Sequence, residues 1–404
     1  MKKLRRTAAI SLATILLLPL VLSGCKDVES SKTVTVGYTS WWSMAESSQF
    51  DIVAQAFQDI IDYYNENDLI PGVHLNLLIY RGFTYPNNSA FYYDWLKDEG
   101  ADIIFTPSYD QAQLMKPLVN EDMIPLFTLQ AFNISDLNTP GYTFYINNPP
   151  ELEAYTLLKW LADNDNQFPS TTPAKIGGIY CEGTYMEAFF KGMEEYASAH
   201  GNEYNWIGTF HSNSTNDWDY HIEALESCDY IIPPKGRMTD FIETYRDSGY
   251  NGKFVGLNRH QYSISDTNDL ISCDDMLIIR PTRWWNETSE EVNLAEYLLH
   301  KNQLEVDANL PMWYYNPYLD IVEIEVMIEV ISDAASRMGE GGSNSESIYE
   351  AAQSFVLTID GIDRYSFGEN KRAGANYYGI YQISAEEQNL VRIDPTWYPV
   401  VRQP

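Results

Sequence analysis

Basic residues are scarce in this chain. Its 404 residues hold 26 lysines and arginines against 57 aspartates and glutamates, a formal charge of −31. Phosphates would be repelled, which argues against a nucleic-acid partner. The acidity also disfavours steering of small anions unless a local basic pocket overrides it, and solubility is its simplest reading. Histidine is equally sparse, at six residues. None shows HExxH spacing, and His211 and His221 read as surface residues on a polar stretch, so no metal is expected. No GxSxG elbow, Walker loop or GxGxxG after a strand is found, and Glu194-Glu195 reads as a solvated helix face. Neither catalysis nor a cofactor is expected. The four cysteines are Cys25, Cys181, Cys228 and Cys273. The last three allow at most one disulfide among themselves and leave at least one thiol free or externally paired.

Long apolar runs are absent after the N-terminus. The one strongly apolar stretch, Ala8 to Leu22, follows Lys2, Lys3, Arg5 and Arg6 and is short for a membrane span. It reads as the apolar part of a secretory signal. Leu22-Ser23-Gly24-Cys25 resembles a bacterial lipobox, in which cleavage leaves Cys25 first and its sulfur lipidated. Residues 1–24 are then the signal peptide and 25–32 a polar linker. Removing 1–24 takes four basic residues and moves the charge to −35. The expected protein is extracytoplasmic and held to the membrane by the lipid on Cys25.

The remainder is long enough for two domains, and its 14% aromatic content argues against disorder. Strands are expected at Thr33–Tyr38, His74–Tyr80, Asp102–Phe105 and Ile124–Thr128. Helices alternate with them at Asp51–Tyr64, Ala90–Glu99 and Gln111–Asn120, the last ended early by Pro117. The pattern restarts with helix Glu151–Ala162, strand Lys175–Tyr180, helix Tyr185–Ser198 and strand Tyr204–Phe210. It continues with helix Asp217–Glu226, strand Asp229–Ile232, helix Met238–Ser248 and strand Lys253–Leu257. Such alternation implies α/β architecture: two doubly wound parallel sheets with helices on both faces, a bilobed molecule with a cleft between. A long helix at Tyr318–Ala335, a short one at Tyr349–Ser354 and a terminal strand pair, Tyr377–Ser384 and Leu390–Ile393, complete the chain.

The stretch KIGGIYCEGTYMEAFFKGMEEYASAHG, the stretch DYIIPPKGRMTDFIETYRDSGYNGKFVGLN and the ending NYYGIYQIS…VRIDPTWYPV together resemble the type I periplasmic binding proteins. The resemblance is to the leucine/isoleucine/valine-type receptors of ABC importers and covers about residues 33–404. It implies two lobes joined by a three-crossover hinge, with crossovers near Asn147, Thr282 and Leu357. The lobes are then 33–147 with 284–356, and 148–283 with 357–404. It also implies hinge closure around a small-molecule ligand and delivery to an ABC transporter permease. The alternative is an anchored sensor or envelope interaction protein that uses the same fold without transport.

Five loops after strand ends are expected to face the cleft. Trp41 and Trp42 follow the first strand and either wall a ligand or pack under the first helix. Ser108, beside Tyr109, either holds a carboxylate or caps the next helix. Thr128 precedes Leu129 and Gln130, where the family carries small hydroxyl-bearing residues. Tyr185 matches a family Tyr that faces the ligand from the second lobe. Asn258 and Arg259 stand where amino-acid receptors place a carboxylate for the ligand ammonium. That departure disfavours a branched-chain amino acid, since a buried ammonium without a partner is costly; Arg259 suits a carboxylate instead, or is a solvated surface residue. Trp284 follows the second crossover and either stacks on a ring or packs the lobes. With 30 Tyr and 10 Trp in the chain, the expected ligand is amino-acid-like, an amide or aromatic.

Overall fold

The computed structural model describes residues 31–39, 48–80, 88–131, 134–181, 183–212, 219–264, 266–301, 316–338 and 343–404. The lipidation candidate Cys25 and the loop residues Trp41 and Trp42 lie outside them.

The first sheet is built from β1 (Lys32–Thr39), β2 (Val73–Tyr80), β3 (Ile103–Thr106), β4 (Leu126–Gln130) and β5 (Thr143–Asn147). All pair in parallel, in the order β2-β1-β3-β4-β5. Strands β3 and β5 are buried throughout, as expected of a sheet covered on both faces. Helix α1 (Ser48–Glu66) covers one face, and α2 (Ser89–Asp98) and α3 (Tyr109–Asp122) the other. Pro117 does not end α3, which runs on to Asp122. Pro117 lies on the exposed face of the helix, where it removes one i to i−4 hydrogen bond without ending the helix.

The second sheet repeats the winding. Helix α4 (Pro150–Asn164) leads to β6 (Ala174–Tyr180), α5 (Thr184–Ala199), β7 (Tyr204–His211), α6 (Asp219–Ala224), β8 (Tyr230–Ile232), α7 (Met238–Asp247), β9 (Lys253–Leu257), α8 (Thr267–Ser272) and β10 (Leu277–Arg280). Its parallel part runs β7-β6-β8-β9-β10, the same 2-1-3-4-5 order as the first sheet. Helix α4 packs closely on α5 because Gly192 has no side chain. A Cβ there would lie 2.7 Å from Glu151 Cα.

After β10 come α9 (Glu290–Lys301), α10 (Asn316–Leu319), α11 (Ile321–Met338) and α12 (Ser345–Ala352). Helix α9 touches both lobes: Val292 and Ala295 pack in the second core, Leu298 and Leu299 in the first. The hairpin β11 (Val356–Ile359) and β12 (Ile362–Ser366) follows. Phe355, Tyr365 and Phe367 fill the first core, so the third passage between lobes falls between Phe367 and Tyr377, later than the Leu357 expected. Strands β13 (Tyr377–Ser384), β14 (Asn389–Arg392) and β15 (Tyr398–Pro399) then close the second sheet with antiparallel pairs. The first passage joins β5 to α4 at Asn147–Pro150, and the second leaves β10 at Arg280. Among the described residues no helix is long and apolar enough to cross a membrane.

Candidate functional site

In both sheets the strands end toward the region where the lobes meet, and the polar side chains at those ends converge. Gln130 closes β4, paired in register with Asn147 of β5. Arg259 follows the end of β9, and Tyr185 lies in the first turn of α5 after β6. Gln130 Nε2 donates to Tyr185 Oη at 2.9 Å, and Arg259 donates to Gln130 Oε1 at 2.5 Å. The Arg259 guanidinium carbon sits 4.0 Å from the centre of the Tyr185 ring. Three of the residues singled out from sequence, one from the first lobe and two from the second, thus form one cluster across the cleft. A planar cation stacked on a ring and bonded to an amide is a well-determined geometry, because the guanidinium offers its donors in one plane.

A residue missed in the sequence completes this cluster. Tyr185 Oη donates to Glu153 Oε2 at 2.6 Å. Glu153 lies in the first turn of α4 and is 1% exposed. Burial pushes its carboxyl up to about 7, with the Tyr185 hydroxyl, the Arg259 charge and the Tyr378 hydroxyl holding it down in part. Burial and the Glu153 charge push the Tyr185 hydroxyl well above its ordinary value. The available signal was Pro149-Pro150-Glu151-Leu152-Glu153: an acid in the first turn of a helix that begins directly at a crossover.

A second acidic group lies beside the crossovers. Asn147 Nδ2 donates to Glu323 Oε1 at 2.5 Å, and Arg280 lies 3.8 Å from Asp320. Burial raises both carboxyls above their usual range, and Asp320 raises Glu323 further. Arg280, fully buried, is fixed by the Thr282 carbonyl at 3.0 Å, the Thr282 hydroxyl at 2.8 Å and Gln261. Tyr262 adjoins the charges of Arg259, Arg280, Asp320 and Glu323, and its hydroxyl is raised by the surrounding protein, yet the residue is 37% exposed.

The other expected site residues are placed differently. Ser108 caps α3, its hydroxyl accepting from Gln111 N–H at 3.4 Å, and Tyr109 opens that helix. Gln111 in turn accepts from the hydroxyls of Thr39 and Thr106, each at 2.8 Å, which ties β1, β3 and α3 together. Of the two roles weighed for Ser108, the cap is the one the geometry displays. Thr128 and Asn258 each keep a buried side-chain oxygen with no hydrogen bond among the described residues. Trp284 is 1% exposed within the second core, and its indole N–H donates to Asn389 at 2.5 Å. Packing, not ligand stacking, is its role in this structure. Cys228 and Cys273 are free thiols. Among the described residues no cluster of His, Cys, Asp and Glu has metal-ligand geometry.

Solved structures share this architecture over nearly the whole chain. One, described as a branched-chain amino acid ABC transporter from Thermus thermophilus with bound valine, matches with a TM-score of 0.72 at 15% identity, covering 92% of this chain and 98% of that one. A fatty acid ABC transporter substrate-binding protein from Thermomonospora curvata gives 0.68 at 15% identity, over 92% and 93%. A solute-binding protein from Rhodopseudomonas palustris HaA2 in complex with p-hydroxybenzoic acid gives 0.68 at 13% identity, over 92% and 98%. No protein-family sequence model and no curated protein sequence matches the chain. The chain has the type I periplasmic binding protein fold, shared with binding proteins of branched-chain amino acid and related ABC transporters.

Proposed function

We propose that this protein is an extracytoplasmic solute-binding protein. It captures a small amino-acid-like, amide or aromatic molecule between its lobes and delivers it to an ABC importer. The observation that carries this reading is the convergence of Gln130, Tyr185 and Arg259 at the carboxyl edges of two sheets wound in the same order. Ligands of open α/β sheets bind at that edge, and closure of two lobes there removes a small molecule from water. The bound molecules named for the structural neighbours, valine and p-hydroxybenzoic acid, fall within the proposed classes. The role is one of binding, not catalysis. The three passages between lobes act as the hinge. The lipid on Cys25 holds the receptor near its permease, where its effective concentration is high.

A panel of solutes screened by melting temperature and tryptophan fluorescence tests the reading. Saturable stabilisation by at least one small solute supports it, and no stabilisation across the panel counts against it. Mass analysis of the mature N-terminal peptide tests the anchor: diacylglyceryl mass on Cys25, lost in Cys25→Ser, is expected. The second reading, an anchored sensor or envelope interaction protein, is favoured by the direct Arg259–Gln130 bond, a protein contact that joins the two lobes. A membrane kinase or cell-wall enzyme recovered as partner, with no importer, would select it.

A further inference from the structure

The third passage between the lobes lines a second cavity, apart from the Gln130–Tyr185–Arg259 cluster. Three segments meet there: the turn Ile134–Asn138 after β4, the passage at Lys371 and Ala373, and the chain end at Arg402 and Gln403. Backbone bonds hold them in place. Arg372 N–H donates to the Leu137 carbonyl at 2.8 Å, Gly374 N–H to the Tyr145 carbonyl of β5 at 2.8 Å, and Val400 N–H to the Asn376 carbonyl at 2.9 Å. The enclosed space is about 230 Å³. Leu137 and Ala373 give it apolar walls, Asn138 and Gln403 add amides, and Lys371 and Arg402 are its charged groups. Water takes about 30 Å³ in the liquid, so the space admits one small ion with a few waters.

A chain of hydrogen bonds joins the two cations. Lys371 Nζ donates to the Ser366 hydroxyl at 2.9 Å, to the Gly374 carbonyl at 3.2 Å and to the Ser366 carbonyl. The same Ser366 hydroxyl accepts from Asn376 Nδ2 at 2.9 Å, and Asn376 Oδ1 accepts from Arg402 at 3.3 Å. All these partners are neutral. The one acid of the turn after β4, Asp136, is taken by Lys116 at 2.7 Å. Arg372, between the cavity residues in sequence, stacks 4.7 Å from Phe144 instead. Burial and the Arg402 charge bring half-buried Lys371 down to about 7. Two cations at one cavity are thus left to neutral partners in a chain with 57 acids against 26 bases. Their repulsion is relieved when an anion occupies the space.

We propose that this cavity is a binding site for a small oxyanion, held between Arg402 and Lys371. Arg402 offers donors in one plane, which suits a carboxylate or a tetrahedral oxyanion. Lys371 supplies the second charge, and its longest contact, to the Gly374 carbonyl, is the one the anion displaces. Because its walls come from the turn after β4, the passage and the chain end, the bound anion ties one strand of the hinge to both of its neighbours. The site does not depend on what the cleft holds.

The test is calorimetric titration of the purified protein at about pH 6, where Lys371 is charged. Sulfate, phosphate and acetate form separate arms, which distinguish tetrahedral oxyanions from carboxylates, with chloride at matched ionic strength as reference. The expected result is saturable binding of at least one oxyanion, weakened roughly tenfold or more by Arg402→Gln and by Lys371→Gln and kept by Lys371→Arg. Arg402 is exposed near the chain end, so its variant keeps the test open if Lys371→Gln fails to fold. Hydrogen exchange locates the ion: peptides covering 366–377 and 400–404 should gain protection when it binds. Three results overturn the inference: no binding beyond that of chloride, binding unchanged in Arg402→Gln, or binding lost in Arg259→Met without protection at 366–377. The solute-binding reading stands in each case.

Discussion

Glu153→Gln isolates the cost of the buried carboxylate under Tyr185. Glu153 is 1% exposed, and burial raises its carboxyl to about 7, against 4.5 for the free group. The sign follows from proton binding. Below about pH 4.5 the group is protonated in both folded and unfolded chains, and its contribution to stability is fully present. Between about 4.5 and 7 the unfolded chain releases the proton while the folded chain retains it, so stability falls as pH rises; above about 7 the loss levels off. At about 1.4 kcal/mol per pH unit, the span of roughly two and a half units comes to about 3 kcal/mol. Glutamine keeps an acceptor for the Tyr185 hydroxyl and carries no charge, so its stability profile lacks this slope. Urea denaturation of both proteins at pH 4.5 and pH 8 measures the effect. The stability of the variant relative to the parent should rise by about 3 kcal/mol between the two pH values. A constant difference, or one that moves the other way, would refute the reasoning.

Tyr185→Phe removes the hydroxyl shared by Gln130 and Glu153 and leaves a buried carboxylate oxygen without its donor; denaturation at pH 8 should show a loss of about 1–3 kcal/mol. Arg259→Met cuts the bond to Gln130 and the stacking on Tyr185. Small-angle scattering should then report a larger radius of gyration, as the lobes part. Gly256→Ala places a Cβ 2.6 Å from His260 Nδ1 and 2.8 Å from Met276 Cε, and thermal unfolding should show a cost of about 1–3 kcal/mol. Burial pushes the thiols of Cys228 and Cys273 up to about 12, while Cys181 is only half-buried. Alkylation followed by peptide mass mapping should therefore mark Cys228 and Cys273 only after unfolding.

The α/β alternation was legible because strands such as His74–Tyr80 and Asp229–Ile232 stand between helices of clear period and beside stops such as Gly100. Strand β5, Thr143–Asn147, went unseen: all five residues are buried, so no alternation marks it, and a short apolar run has no helix-or-strand signature of its own. Strand β10, helix α9 and the β11–β12 hairpin were missed too. The hairpin strands are short, and the apolar β11 is partly exposed along its whole length, so neither burial nor alternation marks it; the side chains that place the hairpin in the first lobe, Tyr365 and Phe367, belong to a core formed by distant segments. Gln130, Tyr185 and Arg259 were each found from their place after a strand, but their mutual contact was not, because it joins residues far apart in the chain. Glu153 and Glu323 read as ordinary helix acids. Nothing local reveals that one lies under Tyr185 and the other against Asn147.

The central claim is that the space between the lobes, bounded by Gln130, Tyr185 and Arg259, is where a solute is held. A crystal structure of the protein with its co-purified or screened solute tests this most directly. The account predicts density for the solute between the lobes, touching Tyr185 and Arg259. A solute bound at full occupancy elsewhere, with the Gln130–Tyr185–Arg259 cluster untouched, would contradict it.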